Sequence, residues 1–258
     1  MSGDDMRHWR TGIARVVSDA ATEDVMVRGE RLSDLVGSVS FAEMMFLLLS
    51  GRRPDRAQAR VLDALLVASM EHGIAPPSMI ARCFASYGTT IQAAMAGGIL
   101  AFGDVMGGAG EQFAKLLTEA MPADDADDAL DAAARRVVAD ARAAGERVPG
   151  FGIPLHGADP RAPKLLEIAA AEGVSDRYCR FARLIEGAVE TAAGRAIPMN
   201  LDGVIAAVIL DLGFPWQVAR AFLITPRSVS LAAHYLEERA QGTSWRHLPA
   251  GDIIYASD

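Results

Sequence analysis

Helical periodicity with matched start and stop signals runs through almost the whole chain, and it excludes more folds than any other feature. Ser40-Phe-Ala-Glu43 is a capping-box pattern ahead of the apolar run Met44 to Leu49, which Gly51 stops. Pro54 opens a second helix, and Val61, Leu62, Leu65, Leu66 and Met70 repeat along it at a 3.6 period up to Gly73. Pro77 suits the first turn of a third helix ending near Gly88, and Thr90 is placed to cap a fourth. Further helices are expected over 124–145, 163–171, 175–193, 201–212, 215–224 and 227–240, with Pro226 breaking or kinking the chain between the last two. The one strand signal is a short run at 25–27. The expected fold class is all-α.

A chain of 258 residues, 51% apolar, can bury a sizeable core in one large domain or two unequal ones. The fourth helix is lined with small residues (Ala93, Ala94, Ala96, Gly97, Gly98, Ala101), which serve either close internal packing or a subunit interface. The helix at 124–145 has aspartates early and Arg135, Arg136 and Arg142 late, as the helix dipole favours. The net charge of −8 is dispersed, and no basic stripe with interleaved aromatics argues for nucleic acid. Cys83 and Cys179 lack metal-ligand spacing and read as reduced thiols, so no metal site is expected. The uncharged stretch from Cys83 to Gly103 is broken by Ser86, Gly88, Thr89, Thr90 and Gln92, so no membrane span is expected. The charged N-terminus lacks an apolar signal core, and a cytoplasmic location is the expectation.

Three loops concentrate glycine and proline without a linker's polarity. The first, Gly103 to Glu111, contains Gly107-Gly108, where backbone can turn tightly or approach a ligand. The second runs from Val148 to Asp159-Pro160-Arg161; Arg161 could hold a carboxylate bidentately, and His156 is either a ligand contact or structural. The third, Ile197 to Asp202, leads into the apolar run Gly203 to Leu210. Asp202 has two readings there: an acid satisfying backbone donors at a helix start, or a desolvated general base.

Together and in this order, the loops resemble the citrate synthase and citryl-CoA lyase family. That pattern has a His-Gly-Gly-Ala turn, a Pro-Gly-Phe-Gly-His-Pro loop closed by Asp-Pro-Arg, an Asn-Val-Asp turn into a helix, and a helix carrying an arginine. The matching segments are Met106-Gly107-Gly108-Ala109, Pro149 to Arg161, Asn200-Leu201-Asp202 and Pro226-Arg227. Met70-Glu71-His72-Gly73 looks like the family's Asp-His segment. The resemblance runs from about residue 25 to 240, and the short length is more like the citryl-CoA lyase branch. It implies a two-domain helical homodimer, with a large domain of 1–106 plus 205–258 and a small domain of 107–204. It further implies a coenzyme A thioester and a carboxylic acid as substrates, with no covalently bound cofactor. By position, Asp202 is the base, and His72, Arg161, Arg227, Gly107, Gly108 and Asn200 bind substrate.

Two family histidines are replaced, the enol-stabilising one by Met106 and the acceptor-binding one by Ile153. Neither replacement can donate a hydrogen bond. Losing one oxyanion donor typically costs about 10²–10³ in rate. His156, three residues past Ile153, is placed to substitute in part. The expected activity is forming or breaking a C–C bond next to an acyl-CoA thioester, with a less polar acceptor. The alternatives are a non-catalytic relative that binds acyl-CoA or acts as a subunit or regulator, and decarboxylation or proton transfer on the same fold.

Overall fold

The computed structural model describes residues 9–19, 22–124, 126–152 and 159–256. Helix dominates. Strands β1 (Ala14–Asp19), β2 (Thr22–Val27) and β3 (Glu30–Arg31) lead into helices α1 (Leu32–Leu35), α2 (Phe41–Ser50), α3 (Arg56–Ser69), α4 (Pro76–Ser86) and α5 (Ile91–Leu100). Helices α6 (Ala109–Ala120), α7 (Asp127–Ala143), α8 (Arg161–Ala171), α9 (Arg177–Ala193), α10 (Leu201–Asp211) and α11 (Ala221–Ala240) follow.

The capping logic holds where it is local. Ser40 Oγ accepts from Glu43 N at 3.2 Å and Glu43 Oε2 from Ser40 N at 2.7 Å, closing the expected box on α2. Asp55 and Gln58 form the same reciprocal pair on α3, one residue past Pro54. That helix ends at Ser69, short of Gly73. Thr90 occupies the N-cap position of α5 without a side-chain cap bond.

Three expectations are corrected. The strand signal at 25–27 belongs to a three-stranded antiparallel sheet in the order β1-β2-β3. Its second turn is Arg28-Gly29, with φ of 50° and 89° between the paired Val27 and Glu30, which matches the twist of a two-residue hairpin. The sheet packs Val27 against Leu35 and Leu47 in a small core of its own. Pro226 does not break the chain: it lies inside α11. It comes barely more than a turn from the start, so its missing N–H deprives only one early carbonyl, and the preceding turn tightens, with Leu223 N reaching Arg220 O at 3.1 Å. The helix expected over 215–224 is a 3-10 turn at Trp216–Val218 followed by the start of α11.

Helix α10 is apolar all round and buried from Gly203 through Leu210, as a central helix must be. It packs against α6, α8 and α9. Helix α5 uses its small residues internally. A methyl group on Gly98 would lie 2.6 Å from Leu231 and 2.9 Å from the Pro77 carbonyl, and one on Gly97 would lie 3.1 Å from the Phe84 ring. The outer face of α5 still exposes Ala96 and Leu100. Among the described residues, no helix is long and apolar enough to cross a membrane, and no group of His, Cys, Asp and Glu could hold a metal ion.

Candidate active site

The second and third loops are sewn to each other. Phe151 and Met199 form an isolated antiparallel bridge, with Gly152 N donating to Pro198 O and Asn200 N to Gly150 O, both at 2.9 Å. The Asn200 side chain closes the seam from both ends: Nδ2 donates to Gly152 O at 3.0 Å, and Oδ1 accepts from Gly203 N at 3.0 Å. Asn200 is therefore the N-cap of α10. Asp202, in the first turn, accepts no hydrogen bond among the described residues, so the capping reading of Asp202 is corrected. Backbone contact requires the glycines: a methyl group on Gly203 would stand 2.4 Å from Gly150 O, and Gly150 itself has φ +86°.

The first loop arrives from the other side. Gly107 (φ +76°) turns where a side chain would strike the Phe102 ring at 2.5 Å, and a methyl on Gly108 would meet the Asp104 backbone at 2.5 Å. Gly110, in the first turn of α6, lies against Asp202: a methyl there would be 3.3 Å from the Asp202 carbonyl oxygen. Met106 is half-buried, and its carbonyl accepts from Gly103 N at 2.9 Å. Arg220 ties the turn to the foot of α11 through Asp104 (2.9 Å) and Glu111 (3.0 Å).

Around Asp202 the charges are close but do not neutralise it by hydrogen bonding. Burial raises its pKa; Arg161 and Arg227 pull it back, and Asp159 adds to the rise. Arg161 starts α8 and places its fork on the buried Asp159, Nε to Oδ1 at 2.9 Å and Nη2 to Oδ2 at 2.6 Å. Its Nη1 reaches the carbonyls of Ala68 at 3.3 Å and Glu71 at 3.4 Å, which brings the His72 segment to the site. Arg227 is 8% exposed, and its Nε has no hydrogen-bond partner among the described residues. Burial lowers its pKa, countered by Glu71 and Asp202. His72 is half-buried beside these groups in the chain. Ile153 and His156 lie outside the described residues.

Two features escape sequence reading. His234 Nε2 lies 3.4 Å from the Glu71 carboxylate, a contact made by residues far apart in the chain, with no local signal. A cavity of about 750 Å³ opens behind the sewn loops, lined among others by Phe151, Ile197, Pro198, Arg142, Arg147 and Arg195. Asp202 is not among its lining residues.

A helical fold with a desolvated aspartate flanked by arginines where three glycine-rich loops meet sets the class of site. Comparison with known proteins makes it specific. The family model "Citrate synthase, C-terminal domain" matches residues 10–248. The citryl-CoA lyase structure from Hydrogenobacter thermophilus superposes with a TM-score of 0.86 at 31% identity, covering 97% of this chain and 95% of that one. The "Putative citrate synthase 2" of Mycobacterium tuberculosis is 34% identical over 197 residues, 73% of this chain and 50% of the relative. An ATP citrate lyase from Methanosaeta concilii, solved in complex with (3S)-citryl-CoA, shares the fold at a TM-score of 0.81 and 20% identity, with 97% of this chain matching 42% of that one. The chain belongs to the citrate synthase family. It spans about half the length of the curated relatives it matches first.

Proposed function

We propose that this chain is an acyl-CoA enzyme that forms or breaks a C–C bond next to the thioester, with Asp202 as general base and an acceptor site less polar than one for oxaloacetate. The observation that carries the reading is Asp202 itself. It is a carboxylate raised in pKa by burial, without a hydrogen bond among the described residues, at the point where all three loops meet. Such a group takes a proton from a carbon acid more readily than a carboxylate saturated with donors. In the forming direction Asp202 removes a proton from the carbon next to the thioester, the resulting enolate attacks the acceptor carbonyl, and the alkoxide so formed takes a proton from solvent. In the breaking direction the bonds move in reverse, and Asp202 returns the proton.

Arg227 and Arg161, with His72, are the candidate contacts for the acid partner. By their place in the family pattern, Gly107 and Gly108 are the candidate contacts for the thioester. The arginine-lined cavity behind the sewn loops suits the phosphates of coenzyme A, with Phe151 and Ile197 as apolar wall. We further propose the division into a large domain (1–106 and 205–258) and a small one (107–204), a cytoplasmic location, and a homodimer. The last draws on Met79, Leu100, Val229 and Leu236, apolar side chains that α4, α5 and α11 leave exposed. Light scattering giving a concentration-independent monomer would contradict the dimer.

Met106 offers no donor to the thioester oxygen. Thiol release with acetyl-CoA and oxaloacetate, and cleavage of citryl-CoA, are therefore expected to be negligible, while acyl-CoA with a less polar oxo compound turns over. Robust turnover of either standard pair would overturn the altered acceptor site. Tight acyl-CoA binding without turnover of any carbonyl partner would favour the binding-subunit reading.

A further inference from the structure

Glu71 bears on all three candidate contacts for the acid. Its carbonyl accepts from Arg161 Nη1 at 3.4 Å. Its side chain folds back over its own turn, where Oε1 accepts from His72 N at 2.8 Å and from Gly73 N at 2.5 Å. Burial disfavours the charge of Arg227, and Glu71 is foremost among the described groups that restore it. Where the family pattern has aspartate, this chain has the longer glutamate. A half-exposed glutamate side chain has many rotamers open to it, so one that stays folded over two amides needs a further hold.

His234 supplies that hold. It lies on α11, two turns past Arg227, with its side chain largely buried. Its Nδ1 stands 3.2 Å from Arg82 Nη1. A guanidinium only donates, so Nδ1 accepts, and the ring proton resides on Nε2. Nε2 faces Glu71, 3.4 Å from each carboxylate oxygen. Arg82 is a rigid base for this contact: it is nearly buried and anchored by Glu238 at 2.7 Å and Gln241 at 2.9 Å. A chain of contacts thus joins α4, α11 and the turn after α3. Arg82 donates to His234, His234 to Glu71, and the amides of His72 and Gly73 to the same carboxylate.

We infer that Glu71 and His234 are positioning residues of the acid subsite: His234, fixed in one tautomer by Arg82, orients the Glu71 carboxylate, which holds the turn that carries His72. This rests on the proposed function and adds the supports behind its acid contacts. Neither residue acts by touching the substrate.

The test joins selective ¹⁵N-histidine labelling of the full chain to calorimetric titration with 2-oxobutyrate in the presence of coenzyme A. The chain has five histidines, so substitution assigns the signals. His234 should carry its proton on Nε2, with Nδ1 bare. His234→Leu should move the His72 amide signal and weaken 2-oxobutyrate at least about tenfold in Kd. His234→Gln, whose amide donor takes the place of Nε2, should return both to near the values of the unaltered protein. Glu71→Gln should weaken 2-oxobutyrate as His234→Leu does, because it removes the charge that favours Arg227. A protonated Nδ1 on His234 overturns the inference, as does a His72 signal or an affinity that H234L leaves in place, or an H234Q variant that fails as H234L does. If H234L does not fold, Glu71→Gln, at a half-exposed position, is read for the same His72 signal and the same loss of affinity. Failure of the unaltered protein to bind 2-oxobutyrate would sink the acid-subsite reading, while the His72 signal would still decide whether His234 and Glu71 hold that turn.

Discussion

Glu238 and Asp202 are both carboxylates set among arginines, and the protein treats them in opposite ways. Glu238, on α11, has no exposed surface, yet it is saturated: Arg82 Nε stands 2.7 Å from Oε2, and Arg246 contacts both oxygens. Hydrogen bonding from Arg246 holds its pKa below the ordinary value of 4.5. Arg82 is spread further over Glu237, Gln241 at 2.9 Å and His234 Nδ1 at 3.2 Å, tying α4 to α11 and to the segment after it. Asp202 has two arginines nearby but no hydrogen bond from either, and burial moves its pKa the other way, above 3.8. A buried acid with both oxygens held by arginines locks elements together. One denied donors is left with an affinity for protons.

Removing the saturated acid should do the most damage to stability. Glu238→Ala takes the partner from Arg82 Nε in a nearly buried position, and breaking a buried pair typically costs about 3–5 kcal/mol. The low end is expected, because Arg246 is half-exposed and can turn to water. Urea unfolding checks this; a change within error would mean that the network merely decorates the surface. The pH sign follows from the lowered pKa. Glu238's contribution is complete above 4.5 and is lost as pH falls through its lower folded value.

The seam under Asp202 comes next. Gly203→Ala drives a methyl into Gly150 O, and overpacking of this kind costs about 1–3 kcal/mol. Here it should also spread the loops and lower activity more than Tm suggests. A variant with unaltered melting and turnover would show that the seam has slack. Asn200→Ala removes the cap of α10 and the bond to Gly152, for about 1 kcal/mol by thermal melting.

Most of the helices are legible in the sequence because caps, periods and stops are local. The capping boxes at Ser40 and Asp55 span only four residues each. Beyond the run at 25–27, which lies in β2, the sheet is not legible, because the pairing of β2 with β3 depends on an Arg-Gly turn, and Arg is not a residue expected at positive φ. Pro226 misleads because its effect depends on distance from the helix start, which sequence places within only a few residues. The three loops stand out through their glycines, and the close approaches among Gly150, Gly203 and Gly110 give the reason. Asp202 and its two arginines are found by motif. The commitment of Arg161 to Asp159, the burial of Arg227 with its Nε unpartnered among the described residues and the contact of His234 with Glu71 depend on side-chain directions that no spacing encodes.

The smallest stability effect has the opposite sign. Asp202 binds its proton more tightly folded than unfolded, so its contribution declines as pH rises from 3.8 through the folded value. Asparagine does not titrate. Asp202→Asn should therefore raise Tm slightly at pH 7, with the gain vanishing in acid below 3.8. A fall in Tm at neutral pH would place Asp202 with Glu238 as a structural acid.

The measurement that bears most directly on Asp202 as base is deuterium entry into the methyl group of acetyl-CoA in D₂O, followed by mass spectrometry. The unaltered protein should exchange the methyl protons, with a rate that rises with pH as Asp202 ionises. Asp202→Asn, still folded, should lose about 10² or more of that rate, as removal of a positioned base typically does. Equal exchange by the two proteins would contradict the account.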